Sequence, residues 1–150
     1  MYSRDHAIIS AVVGALAGLV LPLPVPLWAA VGYAVVVGVA IDVDHFLDAR
    51  LIGGDWAALR RCLRNPRIVF VDQGAIFESG ELGPLHRLLS HHVIGGAVVA
   101  GLWAVSEPLA LFTAVILYAH VLADLVADNR RVSQQADAVT QPAYETGSSA

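Results

Sequence analysis

His120-Val121-Leu122-Ala123-Asp124 sets an imidazole and a carboxylate four residues apart in an apolar stretch. On a helix that spacing puts both on one face, about 6 Å apart, where they can share an ion. An ionisable pair inside a hydrophobic segment is costly and is a functional hypothesis by default; the blander alternative is an uncharged His120 bonded to a neighbouring helix, with Asp124 already at the water boundary. Asp42-Val43-Asp44-His45 is the second cluster. Asp42 and His45 share one face of an ideal helix and Asp44 points away unless the helix frays there, so Asp42 and His45 are the direct ligands. Asp44 then orients a histidine from behind or takes a proton as general base; the alternative is a capped helix end with exposed acids.

The third cluster, His86-Arg87-Leu88-Leu89-Ser90-His91-His92, follows the helix-start signal Gly83-Pro84. In an unbroken helix His86 and His91 stand about 140° apart, so either Ser90 restarts the helix as an N-cap or only one of the two binds directly. His92 reads as a bystander. Arg87 would face a developing negative charge such as a phosphoryl or acyl oxyanion, or is an ordinary arginine of the cytoplasmic face. His6 completes the six histidines. Cys62 is the sole cysteine, so neither an intrachain disulfide nor a Cys-rich zinc site can form. A metal would be held by His6, Asp42, His45, His86, His91, His120 and Asp124. That is more than one tetrahedral ion needs, which leaves open one ion with orienting partners or a two-metal site. Imidazole and carboxylate suit zinc, with iron or manganese next.

The elements that must position these groups are membrane elements. Of 150 residues 57% are hydrophobic and 15% charged, with a mean hydropathy of +0.64; the usual charged share is about a quarter. Residues 7–41 contain no Asp, Glu, Lys, Arg or His, room for two spans at roughly 20 residues each. Leu21-Pro22-Leu23-Pro24-Val25-Pro26 divides them, because prolines so closely spaced cannot lie inside one helix. Helix one is expected from about His6 to Leu21 and helix two from about Pro26 to Asp44. A cleaved signal peptide is disfavoured: Met1-Tyr2-Ser3-Arg4-Asp5 has no net positive charge, and the apolar run does not stop at Ala15-Leu16-Ala17. Apolar runs from Leu88 to Ser106 and Leu109 to Ala123 give two more spans. The expected fold is all-α, a compact bundle of four transmembrane helices, with Gly14, Gly18, Gly32, Gly38, Gly95, Gly96 and Gly101 allowing close approach.

The membrane domain covers 1–131 and includes a polar insert, 47–85. The insert carries Arg50, Arg60, Arg61, Arg64 and Arg67 and is therefore placed in the cytoplasm, with both termini, in a multi-pass cell-membrane protein. Trp56, Leu59 and Leu63 share a face of a short amphipathic helix, either interfacial or packed on the bundle. Residues 67–78 read as a short hairpin around Asp72-Gln73-Gly74, and 132–150 as a disordered tail. In-out-in-out threading gathers all the histidines at the cytoplasmic helix ends. All nine basic residues are arginines, against 13 acids, for a formal charge of −4, so no nucleic-acid footprint is indicated.

These motifs resemble those of the membrane-bound metal-dependent hydrolases of bacteria and archaea, of the DNA-damage-regulated inner-membrane type. The family pattern has a His before the first span, Asp-x-Asp-His closing the second, His-Arg-Gly-x-Thr-His-Ser, and a late His-x-x-x-Asp. His6, Asp42-Val43-Asp44-His45, His86-Arg87-Leu88-Leu89-Ser90-His91-His92 and His120-Val121-Leu122-Ala123-Asp124 match it in order and spacing over about residues 6–124. The departures are Leu88 for Gly, Ser90 for Thr, His92 for Ser, and Ile41 where Pro often precedes the first Asp; they bear on substrate preference more than on metal binding. The resemblance implies a metal-dependent hydrolase. The position of the cluster at the headgroup level points to membrane lipids, with a phosphoester or ester bond of a lipid or other amphiphile as the target. The rivals are a transporter or non-catalytic metal-binding protein, and a bundle that a metal merely staples. An ion path needs ionisable residues through the bilayer, and the outer halves of the four spans carry no Asp, Glu, Lys, Arg or His.

Overall fold

The computed structural model describes residues 3–77 and 83–140, which are helical with no strand among them. Its helices are α1 (Ser3–Val20), α2 (Leu27–Ala40), α3 (Asp44–Gly53), α4 (Ala57–Arg64), α5 (Ile68–Val71), α6 (Pro84–Trp103) and α7 (Glu107–Thr140), with 3-10 turns at Ile41–Val43 and Gln73–Ala75. α1 ends where the prolines begin: Leu21 still donates to the Ala17 carbonyl at 2.9 Å, whereas the prolines beyond have no N–H to continue the ladder. α2 restarts on the Pro26 carbonyl, which accepts from Ala29 and Ala30 at 2.9 and 3.1 Å.

Small residues set the distance between α1 and α2. Ser10, Gly14 and Gly18 lie four apart on one helix, and Ala30, Ala34 and Gly38 four apart on the other, so each set forms a stripe. A methyl on Gly14 would come within 2.4 Å of Ala34 Cβ, and one on Gly38 within 1.9 Å of Ser10 Oγ. The expectation of close approach holds for Gly14, Gly18 and Gly38, and for Gly95, where a Cβ would meet Leu117 at 3.2 Å. It does not hold for Gly32, Gly96 and Gly101, which have open space on that side.

α7 packs on α1 and α2, and α6 packs on α7 and α3. Ala30, Ala34, Phe112 and Ile116 form the buried centre, flanked by Val13, Ala17, Tyr33 and Val37. Tyr33 and Thr113 share a 2.8 Å hydrogen bond there, and the Thr113 hydroxyl also donates to the Leu109 carbonyl. The outward face is apolar: Leu16, Val20, Trp28, Val36, Val105 and Tyr118 are all exposed. A belt of that extent is a surface for lipid or partner contact rather than for water.

Three helices are long and apolar enough to cross a membrane: α1, the continuous run Leu27–Gly53, and Glu107–Asp137 within α7. α6 is not among them. His86, Arg87, His91 and His92 occupy its first half, and the remaining uncharged stretch, Val93–Trp103, is only about 16 Å long.

Three expectations need correction. Helix two does not stop at Asp44; it tightens into a 3-10 turn and continues as α3 to Gly53, where Gly54 takes the left-handed conformation (φ 79°) and donates to the Arg50 carbonyl. The hairpin over 67–78 is instead α5 and a 3-10 turn as far as Phe77, Glu78 lying outside the described residues. Gln73 fixes this segment, since its amide donates to the Val69 carbonyl and to Ser3 Oγ while its oxygen accepts from Ser3 N. Finally, 132–140 continues α7 as helix; neither Gly nor Pro interrupts it. Residues 141–150 lie outside the described residues.

The amphipathic helix α4 packs on the domain through Ala58 and Cys62, which join Ala49 and Ile76 in a second small core. Leu63 stays exposed. Asp55 accepts from Ala57 N at 2.6 Å, and this bond, with the nearby Arg60, holds its carboxyl below the usual range.

Candidate metal centre

Four helices converge on one buried cluster. His6 comes from the first turns of α1, Asp42 from the 3-10 turn, Asp44 and His45 from the start of α3, His91 from α6, and His120 and Asp124 from α7. His6, Asp44, His45, His91, His120 and Asp124 are all buried. The 3-10 turn explains why Asp44 faces inward instead of away. With 3.0 residues per turn it advances each residue about 120° rather than 100°, which brings Asp44 about 40° closer to the side held by Asp42.

Two histidine tautomers are fixed by their outer hydrogen bonds. His120 Nδ1 donates to the Gly38 carbonyl at 2.8 Å, and His91 Nδ1 donates to Asp44 Oδ2 at 2.6 Å. Each ring therefore turns its Nε2 inward, a lone pair when the ring is neutral. Those two nitrogens are 3.2 Å apart, a separation that a proton shared between the rings or a metal ion bound by both accounts for. Asp42 Oδ1 lies 3.3 Å from His120 Nε2 and 3.5 Å from His91 Nε2. Asp124 Oδ2 lies 3.7 Å from each. A tetrahedral site with ion-to-nitrogen distances of 2.0–2.1 Å has donors about 3.3 Å apart; these five separations, 3.2 to 3.7 Å, are close to that length, so the donors frame a cage that could hold an ion.

Around the cage stand the other groups. His6 stacks on His120 with centroids 3.8 Å apart, and its Nε2 is 3.2 Å from Asp124 Oδ1. His45 stacks on His91 at 5.0 Å and meets the edge of Phe77. His6, Asp42, His120 and Asp124 form one donor group able to hold an ion, and Asp42, His45 and His91 a second, with Asp42 common to both. Among the described residues, the buried side-chain atoms without a hydrogen-bond partner are all here: both His6 nitrogens, Asp42 Oδ1, Asp44 Oδ1 and His45 Nε2. Buried polar atoms are ordinarily paired, and unpaired donor atoms gathered at one point are what a cation site requires. The cluster could hold a metal ion.

Not every residue singled out by the sequence enters it. α6 runs unbroken from Pro84, so Ser90 does not restart it, and the 140° separation leaves His91 inside and His86 exposed. His86, expected as a ligand, is exposed and belongs to neither donor group. His92 is exposed, with Nδ1 donating to the Leu88 carbonyl. Arg87 is paired with Asp128 and lines a cavity of about 240 Å³ together with His91 and Asp124.

Two participants escaped the sequence reading. Asp48 is buried and accepts from Ser90 Oγ at 2.9 Å, tying α3 to α6 beside the cluster. Asp128 holds Arg87. Both repeat the signal that singled out His120 and Asp124, since Asp48 follows Asp44, and Asp128 follows Asp124, by four residues.

No protein-family model matches the chain, and neither a curated protein nor a solved structure matches it.

Proposed function

We propose that the chain is an integral membrane hydrolase that depends on one zinc-like divalent ion held by Asp42, His91, His120 and Asp124. The observation that carries this reading is that the His91 and His120 Nε2 atoms lie 3.2 Å apart and 3.3 to 3.7 Å from Asp42 Oδ1 and Asp124 Oδ2, while each ring's Nδ1 is turned away to another partner. Zinc fits four donors of this kind, and iron or manganese would fit the carboxylates. In this reading α6 crosses with the other three helices, its polar first half at the cytoplasmic surface, and both termini lie in the cytoplasm.

A divalent ion in the cage supplies Lewis-acid chemistry, polarising an ester or phosphoryl oxygen and lowering the pKa of water toward 7. The chain's own groups do the rest. Asp44 positions His91 through Oδ2, and its Oδ1, without a hydrogen bond and 3.9 Å from His45 Nε2, is the acceptor for a proton. His6 positions Asp124 from its Oδ1 side. Arg87 lines the adjoining cavity, where its guanidinium can face a phosphate or carboxylate while Asp128 fixes its direction. The site opens at the polar end of the bundle, so the substrate is an amphiphile with a phosphoester or ester bond near its head.

An ion path is a weaker account, because Ala34, Phe112 and Ile116 fill the bundle centre at full burial beyond the cluster. Turnover of p-nitrophenyl alkyl phosphates and alkyl esters by zinc-loaded protein in nanodiscs tests the proposal. Hydrolysis that disappears in Asp42→Ala supports it, and no hydrolysis of any ester or phosphoester by fully loaded protein contradicts it.

A further inference from the structure

The run from Leu27 to Gly53 is 27 residues long, about 40 Å at 1.5 Å per residue. A hydrocarbon core is about 30 Å thick, and the bilayer with its headgroups about 40–45 Å, so the last turns of α3 emerge at headgroup level. The lipid-facing side of the run does not stop at the metal cluster. Val36, Val43, Leu47 and Leu51 are exposed at spacings of seven, four and four, which keep them on one side of the helix, and Leu51 is 81% exposed. At Gly54 the chain turns; Arg50 donates to the Gly54 carbonyl at 2.7 Å and sets its guanidinium 6.0 Å from the centre of the Trp56 ring. α4 then folds back onto α3, with Ala58 and Cys62 against Ala49. It therefore begins at the bilayer surface.

α4 gives only one side to the domain. Trp56, Leu59 and Leu63 share the neighbouring side, and Leu63 is 72% exposed. Arg60 and Arg64 border that stripe, four residues apart and exposed, and Arg67 is exposed just beyond it. Asp55 pairs with Arg60 at 2.8 Å, and among the described residues no acid pairs with Arg64 or Arg67. Asp72, the other acid of 49–77, lines the cavity beside Ser3 and Arg4. We infer that this edge of α4 docks on the anionic phospholipid headgroups of the leaflet on the cluster's side. Trp56 and Leu63 enter the interface, where aromatic and apolar side chains of an amphipathic helix settle, and Arg60, Arg64 and Arg67 meet the phosphates. Continuity with the lipid-facing stripe that ends at Leu51 favours lipid as the occupant, and the unpaired arginines favour anionic lipid. A second copy of the chain is the poorer occupant, because a two-fold contact through this edge would set Arg64 and Arg67 against their own counterparts. The surface lies apart from the metal cluster and stands whether or not the protein is a hydrolase.

The test is quenching of Trp56 fluorescence by brominated lipids, in the full chain with Trp28→Phe and Trp103→Phe, which leave Trp56 as the sole tryptophan. Nanodiscs hold phosphatidylglycerol and phosphatidylcholine in equal amounts, with bromine near the headgroup end of the acyl chains of one lipid or the other. Brominated phosphatidylglycerol is expected to quench Trp56 about threefold or more strongly than brominated phosphatidylcholine. The preference should shrink in high salt and vanish in the Arg64→Gln, Arg67→Gln double variant, whose exposed side chains leave the fold intact by circular dichroism. Trp28, made the sole tryptophan by Trp56→Phe and Trp103→Phe, sits at the opposite end of α2 and should show no preference. Equal quenching of Trp56 by the two lipids, or a preference that survives loss of both arginines, overturns the inference. So does a Trp56 that neither lipid quenches, the result expected if a second copy or another protein covers α4.

Discussion

His91 Nδ1 stands 2.6 Å from Asp44 Oδ2, and both side chains are almost wholly buried. The bond joins α6 to α3 and decides which nitrogen of His91 faces the cage. Asp44 therefore acts on the cage without belonging to its four donors. Asp44→Ala should lower metal affinity by about 10–100-fold, the usual effect of losing such a partner, and Asp44→Asn, which can still accept from Nδ1–H, should lower it less. Competition with a chromogenic chelator measures both, and equal affinities in wild type and Asp44→Ala would contradict the assignment.

His86 and His91 lie on one helix and differ in where they point. His91→Ala should abolish stoichiometric metal binding; His86→Ala should leave it unchanged, because its exposed ring belongs to neither donor group. Metal content of the two variants purified side by side checks this, and a loss in His86→Ala equal to that in His91→Ala would refute it.

The helix contact that carries the His120 anchor should be intolerant of added volume. Gly38→Ala puts a methyl 1.9 Å from Ser10 Oγ, on the residue whose carbonyl holds His120. Overpacking of this kind costs about 1–3 kcal/mol, so thermal unfolding in detergent should occur at lower temperature. Gly32→Ala, with no neighbour within 4 Å, should be neutral or slightly stabilising, since alanine favours helix over glycine by up to about 1 kcal/mol. A Gly38→Ala protein as stable as wild type would show that α1 and α2 are not in tight contact there.

Arg87 and Asp128 should act as a unit. Arg87→Gln is expected to reduce hydrolysis of anionic substrates while sparing metal content, and Asp128→Asn to do the same more weakly, since the guanidinium remains but loses its orientation. Activity and metal content measured on the same preparations decide it; loss of metal in Arg87→Gln would place the arginine in the structure of the cage instead.

The sequence showed the all-helical class and the proline-marked break between the first two helices, because long uncharged runs and Leu21–Pro26 leave few alternatives. The spacing of four also revealed His120 with Asp124. What it could not show depended on helix phase. A straight helix through Asp42–His45 turns Asp44 outward, and the 3-10 turn at Ile41–Val43 brings it part of the way back. The choice between His86 and His91 required knowing that α6 starts at Pro84 and runs without a break. The segment 67–77 misled because Ile68, Val69 and Val71 have strand propensity, whereas Gln73 ties them to α1 as helical turns.

Elemental analysis of detergent-purified protein, wild type beside the His120→Ala, Asp124→Ala double variant, tests the central claim most directly. The geometry predicts about one zinc, iron or manganese per chain in the wild type and none in the variant, with helical content by circular dichroism unchanged. A wild-type protein that binds no metal even after loading, or a variant that keeps its full complement, would contradict it.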